Sequence, residues 1–394
     1  MNIPKSSTLK DIRIWQVFAI TTIAVMGIAG YMSAFPKIAL HFGVTPDKVA
    51  LIPTLFTLPG LFLAPIFGVL ADRYGRKSVI LPSLLLFSIA GFSIFFVNDF
   101  NYLLVMIFLQ GVGAASLGAM NVTLISDYYQ GKERAIALGY NGTVLNISTA
   151  LYPFLGGMLA GIGWNFPFLM PALGLIAFLI VLIFLKEDKS NLKRSSLADN
   201  LRTLKDSLKN RHILSIFLVS FLTFFVLFGT LISFLPFLIS DLGIKYPIFI
   251  GLQISTMSIF AAISSSQLKK WLKFLSQKQL VILAFSLYLI SIATFIIFKN
   301  PYFFFISSAI YGIGHGVNIP SYISLLSTLV PKENLAGFMS LNRATSLLGQ
   351  TAAPFVFGLI FKSLGMYPVF YFGIIFAGVG IISVSLFVKQ TKLD

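Results

Sequence analysis

Long apolar segments alternate with short polar ones along the whole chain. With breaks placed at charge clusters and at Gly, Pro and Asn turns, the pattern predicts twelve apolar helices, each close to the ~20 residues that cross a bilayer. The predicted spans are 14–36, 47–70, 79–97, 101–126, 135–160, 165–185, 213–239, 247–267, 279–298, 302–329, 335–361 and 366–388. The pattern therefore predicts an all-α membrane protein with twelve transmembrane helices.

One polar segment is much longer than the others. Residues 186–212 hold eight Lys or Arg and four Asp or Glu. From Leu197 onward the leucines are spaced as in a short amphipathic helix lying on the membrane surface, and a simple solvated linker fits the segment equally well. In either case it divides the chain into an N-terminal bundle, 1–185, and a C-terminal bundle, 213–394, of six helices each.

The second half repeats the first at one fixed distance. Residue pairs of the same type recur 201 positions apart without a gap: Gly111 and Gly312, Gly113 and Gly314, Ala135 and Ala336, Pro153 and Pro354, Gly157 and Gly358. Parallel repeats of this kind occur in transporters whose binding site lies between the two halves. We therefore expect two pseudo-symmetric six-helix bundles that alternately open a central site to each side of the membrane.

Composition and charge strengthen this interpretation. The chain is 57% hydrophobic and only 11% charged, whereas soluble domains have about 25% charged residues. The net charge is +16, but most Lys and Arg fall in one set of alternating loops, as the positive-inside rule requires. This places both termini in the cytoplasm and the protein in the cell membrane, and it removes the need for a nucleic-acid partner.

The inventory of reactive groups argues against catalysis. There are no cysteines, and there are three histidines, at 41, 212 and 315, which lie far apart in the sequence. An intramembrane enzyme would need a nucleophile with a base, or metal ligands, on facing helices. No phosphate-binding Gly-x4-Gly-Lys-Ser/Thr run occurs, so a gradient must supply the energy. We predict no enzyme activity, no cofactor and no metal; a receptor or scaffold would be expected to carry large soluble domains.

The stretch Gly68–Lys77, GVLADRYGRK, gathers charge between spans 2 and 3. Gly68 would allow a close helix approach, and Gly75 can adopt positive φ and reverse the chain. Arg73, Arg76 and Lys77 would lie among the lipid headgroups.

A second role is possible for the charges of this stretch. Asp72 and Arg76 can form a latch at the cytoplasmic end of the helices, with Asp127 at the end of span 4 as the natural partner. A tight turn that merely carries positive-inside charges is the alternative.

This stretch resembles the loop 2–3 signature of the major facilitator superfamily, and the resemblance covers essentially the whole chain. It implies two six-helix bundles, alternating access and no covalent chemistry. It assigns Gly68, Asp72, Arg73, Gly75, Arg76 and Lys77 to gating and not to substrate binding.

Span 5 adds a second resemblance. Tyr152–Gly157 is similar to the G-P-x-x-G-G motif of the drug:proton antiporters of this superfamily, with Pro153, Gly156 and Gly157 matching. Proline and glycine pairs bend helices and let them pack closely. Span 4 departs from the family pattern R-x-x-Q-G, because Gln110 and Gly111 are present but position 107 is isoleucine.

Two ionisable side chains fall within predicted spans. His315 lies near the middle of span 10 and is the natural proton-binding candidate, since its unperturbed pKa is near neutrality. Arg343 lies in span 11 and could bind an anion or snorkel to the headgroups. All acidic residues map to loops or span ends, so a dedicated site for strongly cationic compounds is not expected.

In this superfamily, spans 1, 4, 7 and 10 line the cavity. The resemblance therefore suggests a set of lining residues: Tyr31, Gln110, Asn146, Phe225, His315, Asn318 and Arg343. The sequence predicts a monomeric, proton-coupled exporter of small amphipathic or toxic compounds. The alternative is a carrier dedicated to one metabolite or organic anion, working by uniport or symport.

Overall fold

The computed structural model describes residues 7–185, 210–330 and 334–388. In these ranges the chain is helical, with no β-strand, and every predicted span coincides with a helix. The helices of the first half are α1 Ile12–Phe42, α2 Pro46–Tyr74, α3 Arg76–Phe96, α4 Phe100–Tyr128, α5 Gly131–Ile162 and α6 Phe166–Phe184. Those of the second half are α7 Arg211–Asp241, α8 Pro247–Ser266, α9 Gln277–Ile297, α10 Phe304–Leu329, α11 Leu335–Leu364 and α12 Met366–Phe387. The predicted all-α membrane fold is confirmed.

Eleven of these helices are long and apolar enough to cross a membrane within the described ranges. The exception is α10, which has 26 residues and is therefore long enough to span. Polar residues, among them His315 and Asn318, dilute its apolar character. Helix α10 thus carries an ionisable and an amide side chain within a span of sufficient length.

The helices run further into the charged ends than the sequence predicted. Span 2 was expected to end at residue 70, but α2 continues to Tyr74, so Asp72 lies in its last turn. Helix α3 then begins at Arg76, leaving Gly75 as the only residue between the two helices. Long charged side chains reach the headgroup zone from a helix end, so a helix need not stop where charges begin.

Helices α1 and α7 are both interrupted near their middles. In α1, Gly27 has non-helical torsions, with φ −37° and ψ −108°, and a 3₁₀ turn follows at Met32–Ala34. In α7, Leu227–Ile232 forms a π-helical segment. Such irregular segments loosen the regular backbone hydrogen bonding and often mark functional positions in membrane helices.

The first compact unit, unit 1, comprises residues 1–34 and 55–196. Its core is an apolar cluster contributed by α1, α3, α4, α5 and α6, with Phe87, Leu117 and Ile80 fully buried. Each helix buries one face against its neighbours and leaves apolar residues exposed on the other face, as a lipid environment permits.

The second compact unit, unit 2, comprises residues 35–54 and 197–394. The segment 35–54, from the end of α1 and the start of α2, packs with the C-terminal helices. Thr54 Oγ1 donates a hydrogen bond to the carbonyl of Thr351 at 3.0 Å, and Gly358 of α11 lies beside the backbone of Asp47. Of the linker 186–212, residues 186–209 lie outside the described residues, so the amphipathic helix and the domain boundaries 1–185, 186–212 and 213–394 stay predictions.

The predicted duplication is visible in helix contacts. A side chain at Gly111 of α4 would collide with the carbonyl of Phe56 in α2, and one at Gly312 of α10 would collide with the carbonyl of Met257 in α8. Both members of each pair are 201 residues apart. Gly113 and Gly314 repeat the relation against the carbonyls at 83 and 284. The two units therefore share the same close backbone approaches.

Lysine caps are repeated as well. Lys77 Nζ, at the start of α3, donates to the carbonyls of Leu182 (2.7 Å) and Leu185 (3.1 Å) at the end of α6. Lys278 Nζ, 201 residues later at the start of α9, donates to the carbonyl of Ser385 at the end of α12. Each cation satisfies carbonyls that the helix end leaves unbonded and lies at the negative end of a helix dipole.

The starts of α1 and α7 are capped by related residues. Asp11 accepts a hydrogen bond from the backbone N–H of Arg13 at 2.9 Å, and Asn210 does the same for His212. Asp11 also accepts from the hydroxyl of Tyr129 at 2.9 Å. Burial would raise the pKa of Asp11, but the hydrogen bonds from Arg13 and Tyr129 outweigh it and hold the pKa below its usual value.

Candidate functional site

The turn between α2 and α3 is made by one glycine. Gly75 has φ +100°, a region that residues with a Cβ rarely adopt. This torsion lets α3 begin immediately after α2, and it brings the charged residues on either side of the turn close together. The predicted role of Gly75 in reversing the chain agrees with this geometry.

Arg76 is the centre of the charged cluster at this turn. Its Nη1 lies 2.7 Å from Asp72 Oδ1, and its Nε lies 3.2 Å from Asp127 Oδ2 at the end of α4. Nη1 also donates to the carbonyl of Ala71 at 2.7 Å. The Arg76 side chain is 15% exposed and Asp127 is 45% exposed, so the cluster lies at a half-dry helix junction. The predicted partnership of Asp72, Arg76 and Asp127 is thus present in the geometry of unit 1.

The remaining residues of the turn have different surroundings. Arg73 is exposed and lies over the ring of Tyr74 at 5.3 Å, whereas Lys77 caps α6 as described above. In the part of the chain that the structure describes, no atom lies within 4 Å of the place a Cβ on Gly68 would occupy. The close helix approach expected at Gly68 is therefore not found in this conformation.

The α5 motif lies where α5 crosses α1 inside unit 1. Gly156 faces the carbonyl of Gly30 so closely that no side chain fits there. The hydroxyl of Ser33 donates a hydrogen bond to the carbonyl of Pro153 at 3.1 Å, which links α1 to α5 beside this contact. Gly157 is buried in the same stretch. The motif thus serves as a close-packed crossing between two helices.

One polar cluster of unit 1 was missed by sequence reasoning. The hydroxyl of Thr21 donates to Asn141 Oδ1 at 2.6 Å and accepts from Asn121 Nδ2 at 3.0 Å. All three side chains are buried and they come from α1, α5 and α4. The available signal was the duplication, because Asn141 and Asn342 are 201 residues apart and both lie in buried polar clusters.

Several predicted lining residues of unit 1 are enclosed within it. Tyr31 is 1% exposed and its ring stacks on Phe168 at 4.9 Å. Gln110 is fully buried against Gly91 of α3, and its amide atoms have no partner in the described ranges. Asn146 of α5 is exposed. The role of Tyr31, Gln110 and Asn146 in a cavity stays a prediction.

Phe225 of unit 2 is likewise a packing residue in this conformation. It is 4% exposed and contacts three aromatic rings, those of Phe221, Phe357 and Phe376, at centroid distances of 4.9, 5.4 and 4.9 Å. A side chain in such a cluster contributes to the stability of the unit. Its predicted contact with substrate is not tested.

His315 lies in a hydrogen-bonded network that joins three helices of unit 2. Its Nδ1 is 3.1 Å from the hydroxyl of Tyr288 in α9. Asn318 Nδ2 donates to that same hydroxyl at 3.1 Å and to Thr223 Oγ1 of α7 at 2.8 Å. The rings of Tyr288 and Tyr311 stack at 4.3 Å, and Phe224 meets the imidazole edge-on. His315 and Asn318, predicted separately, are thus parts of one network that also includes Tyr288 and Thr223.

Arg343 lies beside a second polar cluster of unit 2. The hydroxyl of Ser220 in α7 bonds with Ser346 Oγ at 2.7 Å and donates to the carbonyl of Asn342 in α11 at 3.3 Å. Tyr322 of α10 is buried next to these groups and interacts electrostatically with Arg343. Arg343 as a whole residue is exposed, although protein atoms surround its charged group closely.

Comparisons with known proteins agree with this architecture. The model of the Major Facilitator Superfamily matches residues 17–272 and, again, 246–393. The quinolone resistance protein NorA of Staphylococcus aureus (strain COL) is 25% identical over 344 residues, which cover 85% of this chain and 86% of NorA. The bacillibactin exporter of Bacillus subtilis (strain 168) is 26% identical over 373 residues, which cover 88% of this chain and 89% of the exporter.

Solved structures share the fold at much lower identity. The nucleoside transporter NupG superposes with a TM-score of 0.80 at 13% identity, covering 96% of this chain and 99% of NupG. A D-xylose-proton symporter gives 0.78 at 13% identity, covering 98% of each chain. The helix arrangement, the Gly75 turn with its arginine cluster and the match of the family model over most of the sequence lead to one conclusion: the chain belongs to the Major Facilitator Superfamily of transporters.

Proposed function

We propose that the protein exports small apolar or amphipathic compounds across the cell membrane in exchange for protons, and that His315 takes up the exchanged proton. The observation that carries the proposal is the network around His315. His315 lies in the middle of a membrane helix, is hydrogen-bonded to Tyr288 and is linked through Asn318 to α7, so it is an ionisable group placed to take up a proton within the membrane.

The direction of transport is supported by relatives and by α5. The two relatives compared above are named as a resistance protein and an exporter. The matching residues of the antiporter-like motif, Pro153, Gly156 and Gly157, lie at the crossing of α1 and α5. Acidic residues in the described ranges lie at helix ends or in loops, which favours neutral, weakly basic or anionic cargo over strong cations.

The remaining features of the proposal follow from the sequence. Lys and Arg concentrate in one set of loops, so both termini face the cytoplasm and the protein lies in the cell membrane. The protein acts as a monomer, catalyses no covalent reaction and binds no nucleic acid. The Arg76 cluster acts as the latch that holds the cytoplasmic end of unit 1 in one arrangement.

Purified protein in liposomes that contain a pH-sensitive dye tests this function. With a proton gradient imposed, a quinolone and neutral, cationic and anionic amphipathic compounds are added one at a time. We expect several unrelated compounds to cause proton movement, and we expect His315→Gln to abolish it while His41→Gln, at an exposed position, does not. Full proton movement in His315→Gln, with the fold intact by thermal melting, would rule out the proton role.

A dedicated anion carrier is the second candidate, and Arg343 favours it. Arg343 supplies a positive charge inside a membrane helix, near the phenol of Tyr322, and these two groups are the ones that would hold an anion. In the same assay this candidate predicts a response to carboxylates or other anions alone. That response would fall in Arg343→Gln and be partly retained in Arg343→Lys, because lysine keeps the charge but not the two-pronged geometry.

A further inference from the structure

The geometry points to Tyr288 and Asn318 as positioning residues that transmit the protonation state of His315 to helix α7. The inference rests on the proposed function, in which His315 takes up the exchanged proton. One proton added to His315 then changes the hydrogen bonding next to the π-helical segment of α7.

The hydrogen bonds around Tyr288 fix where the proton of neutral His315 lies. Asn318 Nδ2 donates both to the Tyr288 hydroxyl and to Thr223 Oγ1, and Thr223 donates its own proton to the carbonyl of Val219 at 2.7 Å. The Tyr288 proton is then left for His315 Nδ1, which accepts it at 3.1 Å. Neutral His315 therefore carries its own proton on Nε2.

A proton added to His315 reverses this order. The new proton, taken from hydronium, lies on Nδ1, so that Nδ1–H now donates to the Tyr288 oxygen. The Tyr288 proton needs another acceptor, and Asn318 Oδ1 is buried without a partner in the described ranges. Turning the Asn318 amide brings this oxygen to Tyr288. One proton passes from hydronium to Nδ1, so an O–H bond of hydronium breaks as the N–H bond forms. The protons of His315 Nδ1 and of Tyr288 each have an acceptor, whereas Asn318 Nδ2 loses the two acceptors it had.

Rotation of the Asn318 amide changes a hydrogen bond to α7. When Asn318 presents its oxygen to Tyr288, Nδ2 no longer donates to Thr223. Thr223 lies one turn before the π-helical segment, and its carbonyl and that of Phe224 accept from the backbone N–H of Leu227, the first residue of that segment. Irregular helix segments of this kind have alternative hydrogen-bonding arrangements close in energy. The protonation state of His315 in α10 thus affects the hydrogen bonding next to the π-helical segment of α7.

The titratable side chains that face His315 are tyrosines. Helix α7 offers Thr223 and Phe224, α9 offers Tyr288, and α10 itself offers Tyr311. Helix α8, which packs closely on α10 at Gly316, contains no titratable residue. Arg343 of α11 interacts electrostatically with Tyr322, which lies two turns along α10 from His315.

Two matched variants test the inference. Tyr288→Phe and Tyr311→Phe each remove one hydroxyl from the same stacked ring pair, and only the Tyr288 hydroxyl bonds to His315; the Tyr311 hydroxyl has no partner in the described ranges. The tautomer of His315 is read from its imidazole ¹⁵N shifts in detergent micelles, with His315→Gln used to assign the signal. The pH profile of quinolone-driven proton flux is measured over about pH 5–8.

We expect wild type and Tyr311→Phe to hold the Nε2–H tautomer, and Tyr288→Phe to give a mixture of tautomers. We also expect the pH midpoint of flux to move by at least about half a unit in Tyr288→Phe alone, a roughly threefold change in proton affinity. Thr223→Val, which keeps the side-chain volume, should move the midpoint less and leave the tautomer unchanged. It also provides a second test should Tyr288→Phe fail to fold.

Two results overturn the inference. One is a Tyr288→Phe tautomer and midpoint equal to those of Tyr311→Phe; the other is a wild-type midpoint in Thr223→Val, which removes the link to α7. Failure of the proposed function gives a different result, because His315→Gln would then keep the wild-type pH profile. If His315→Gln loses that profile while Tyr288→Phe keeps it, the function stands and this inference falls.

Discussion

At three positions where unit 2 has Tyr288, His315 and Asn318, unit 1 has Phe87, Ala114 and Leu117, each 201 residues earlier in the chain. The opposite exchange occurs at the turn, where unit 1 has the ion-paired residues Asp72, Arg76 and Asp127 and unit 2 has Lys273, Gln277 and Thr328. Gln277 makes a neutral hydrogen bond to Ser324 instead.

The close backbone contacts, by contrast, are the same in both units. Glycines at equivalent places meet carbonyls at equivalent places, and lysines cap the equivalent helices. Helix packing tolerates no extra atom at these contacts, whereas a side chain at a less crowded position can change its chemistry. The comparison teaches that the repeated framework is set by close packing, and that the Arg76 cluster and the His315 network each occur in one copy and not at the equivalent positions of the other.

The largest effect is expected where the two units differ in packing. Gly156→Phe places in α5 the residue that unit 2 has at 357, but the Gly30 backbone lies where the ring must go. We expect no folded protein by size-exclusion chromatography. Phe357→Ala, which only leaves a cavity beside Gly229, should cost ~3–5 kcal/mol and lower the melting temperature.

Gly142→Ala serves as the control for this pair, because the structure leaves open space at Gly142 in α5. Its melting temperature should match the wild type. A folded Gly156→Phe protein would show that the crossing of α1 and α5 is not the close contact described above.

Exchanging Arg76 for the residue at the equivalent position of unit 2 should have the next largest effect. Arg76→Gln places in unit 1 the residue that unit 2 has at 277, and it removes both ion pairs while keeping a polar side chain. Charge-assisted bonds at such half-dry positions contribute roughly 1.5–3 kcal/mol. We expect at least a tenfold loss of transport with a folded protein, measured as dye-reported flux. Equal losses in Gln277→Ala would show that the two turns are equivalent after all.

Transplanting the network of unit 2 into unit 1 is expected to cost less. Leu117→Asn buries an amide among apolar neighbours and should destabilise the protein by about 1–3 kcal/mol. Adding Phe87→Tyr supplies the partner that Asn318 has in Tyr288, and should recover part of that loss in a double-mutant cycle. Purely additive effects on the melting temperature would indicate that the two side chains do not meet in unit 1.

The lysine caps test whether equivalent positions of the two units contribute equally to stability. Lys77→Met and Lys278→Met keep the aliphatic stem and remove the charge that binds the end of α6 or α12. We expect small and similar losses, each about 0.3–1 kcal/mol, in thermal melts at low salt. A large difference between the two variants would show that one lysine has a role beyond capping.

The smallest effect concerns the helix starts and depends on pH. Asp11→Asn gives α1 the cap residue that α7 has in Asn210, so the cap is kept and the charge is lost. Because the pKa of Asp11 is lowered in the folded protein, the charge stabilises it above the acidic range and this contribution disappears as the pH falls. The difference in melting temperature between variant and wild type should therefore shrink from pH 7 toward pH 3.

Sequence reasoning predicted the fold well because a membrane span leaves a long and nearly unambiguous signal. It ended span 2 too early, because Asp72 can be accommodated in the last turn of α2 by its ion pair with Arg76. The contact of Arg76 with Asp72 and Asp127 was predicted from the sequence, because Asp72 and Arg76 lie one turn apart and Asp127 ends a neighbouring span; its role in gating stays a prediction.

The interior of each unit was predicted less well. His315 and Asn318 stood out as polar residues within a span, but Tyr288 and Thr223 did not, because tyrosine and threonine are common in membrane helices and only the fold brings them together. Tyr31, Gln110 and Phe225 were proposed as lining residues; each is buried in this conformation, and their contact with a substrate stays a prediction. Which face of a helix a residue occupies depends on packing with several other helices, and no local pattern records it.

The path of the polypeptide does not coincide with the division made by packing, because residues 35–54 belong to unit 2 although they precede most of unit 1 in the chain. The backbone consequently passes from one unit to the other three times. A protein cut in the linker would yield a C-terminal fragment that lacks a piece of its own unit and an N-terminal fragment that carries a foreign one. Separately synthesised halves should for this reason fold poorly alone and recover only when produced together.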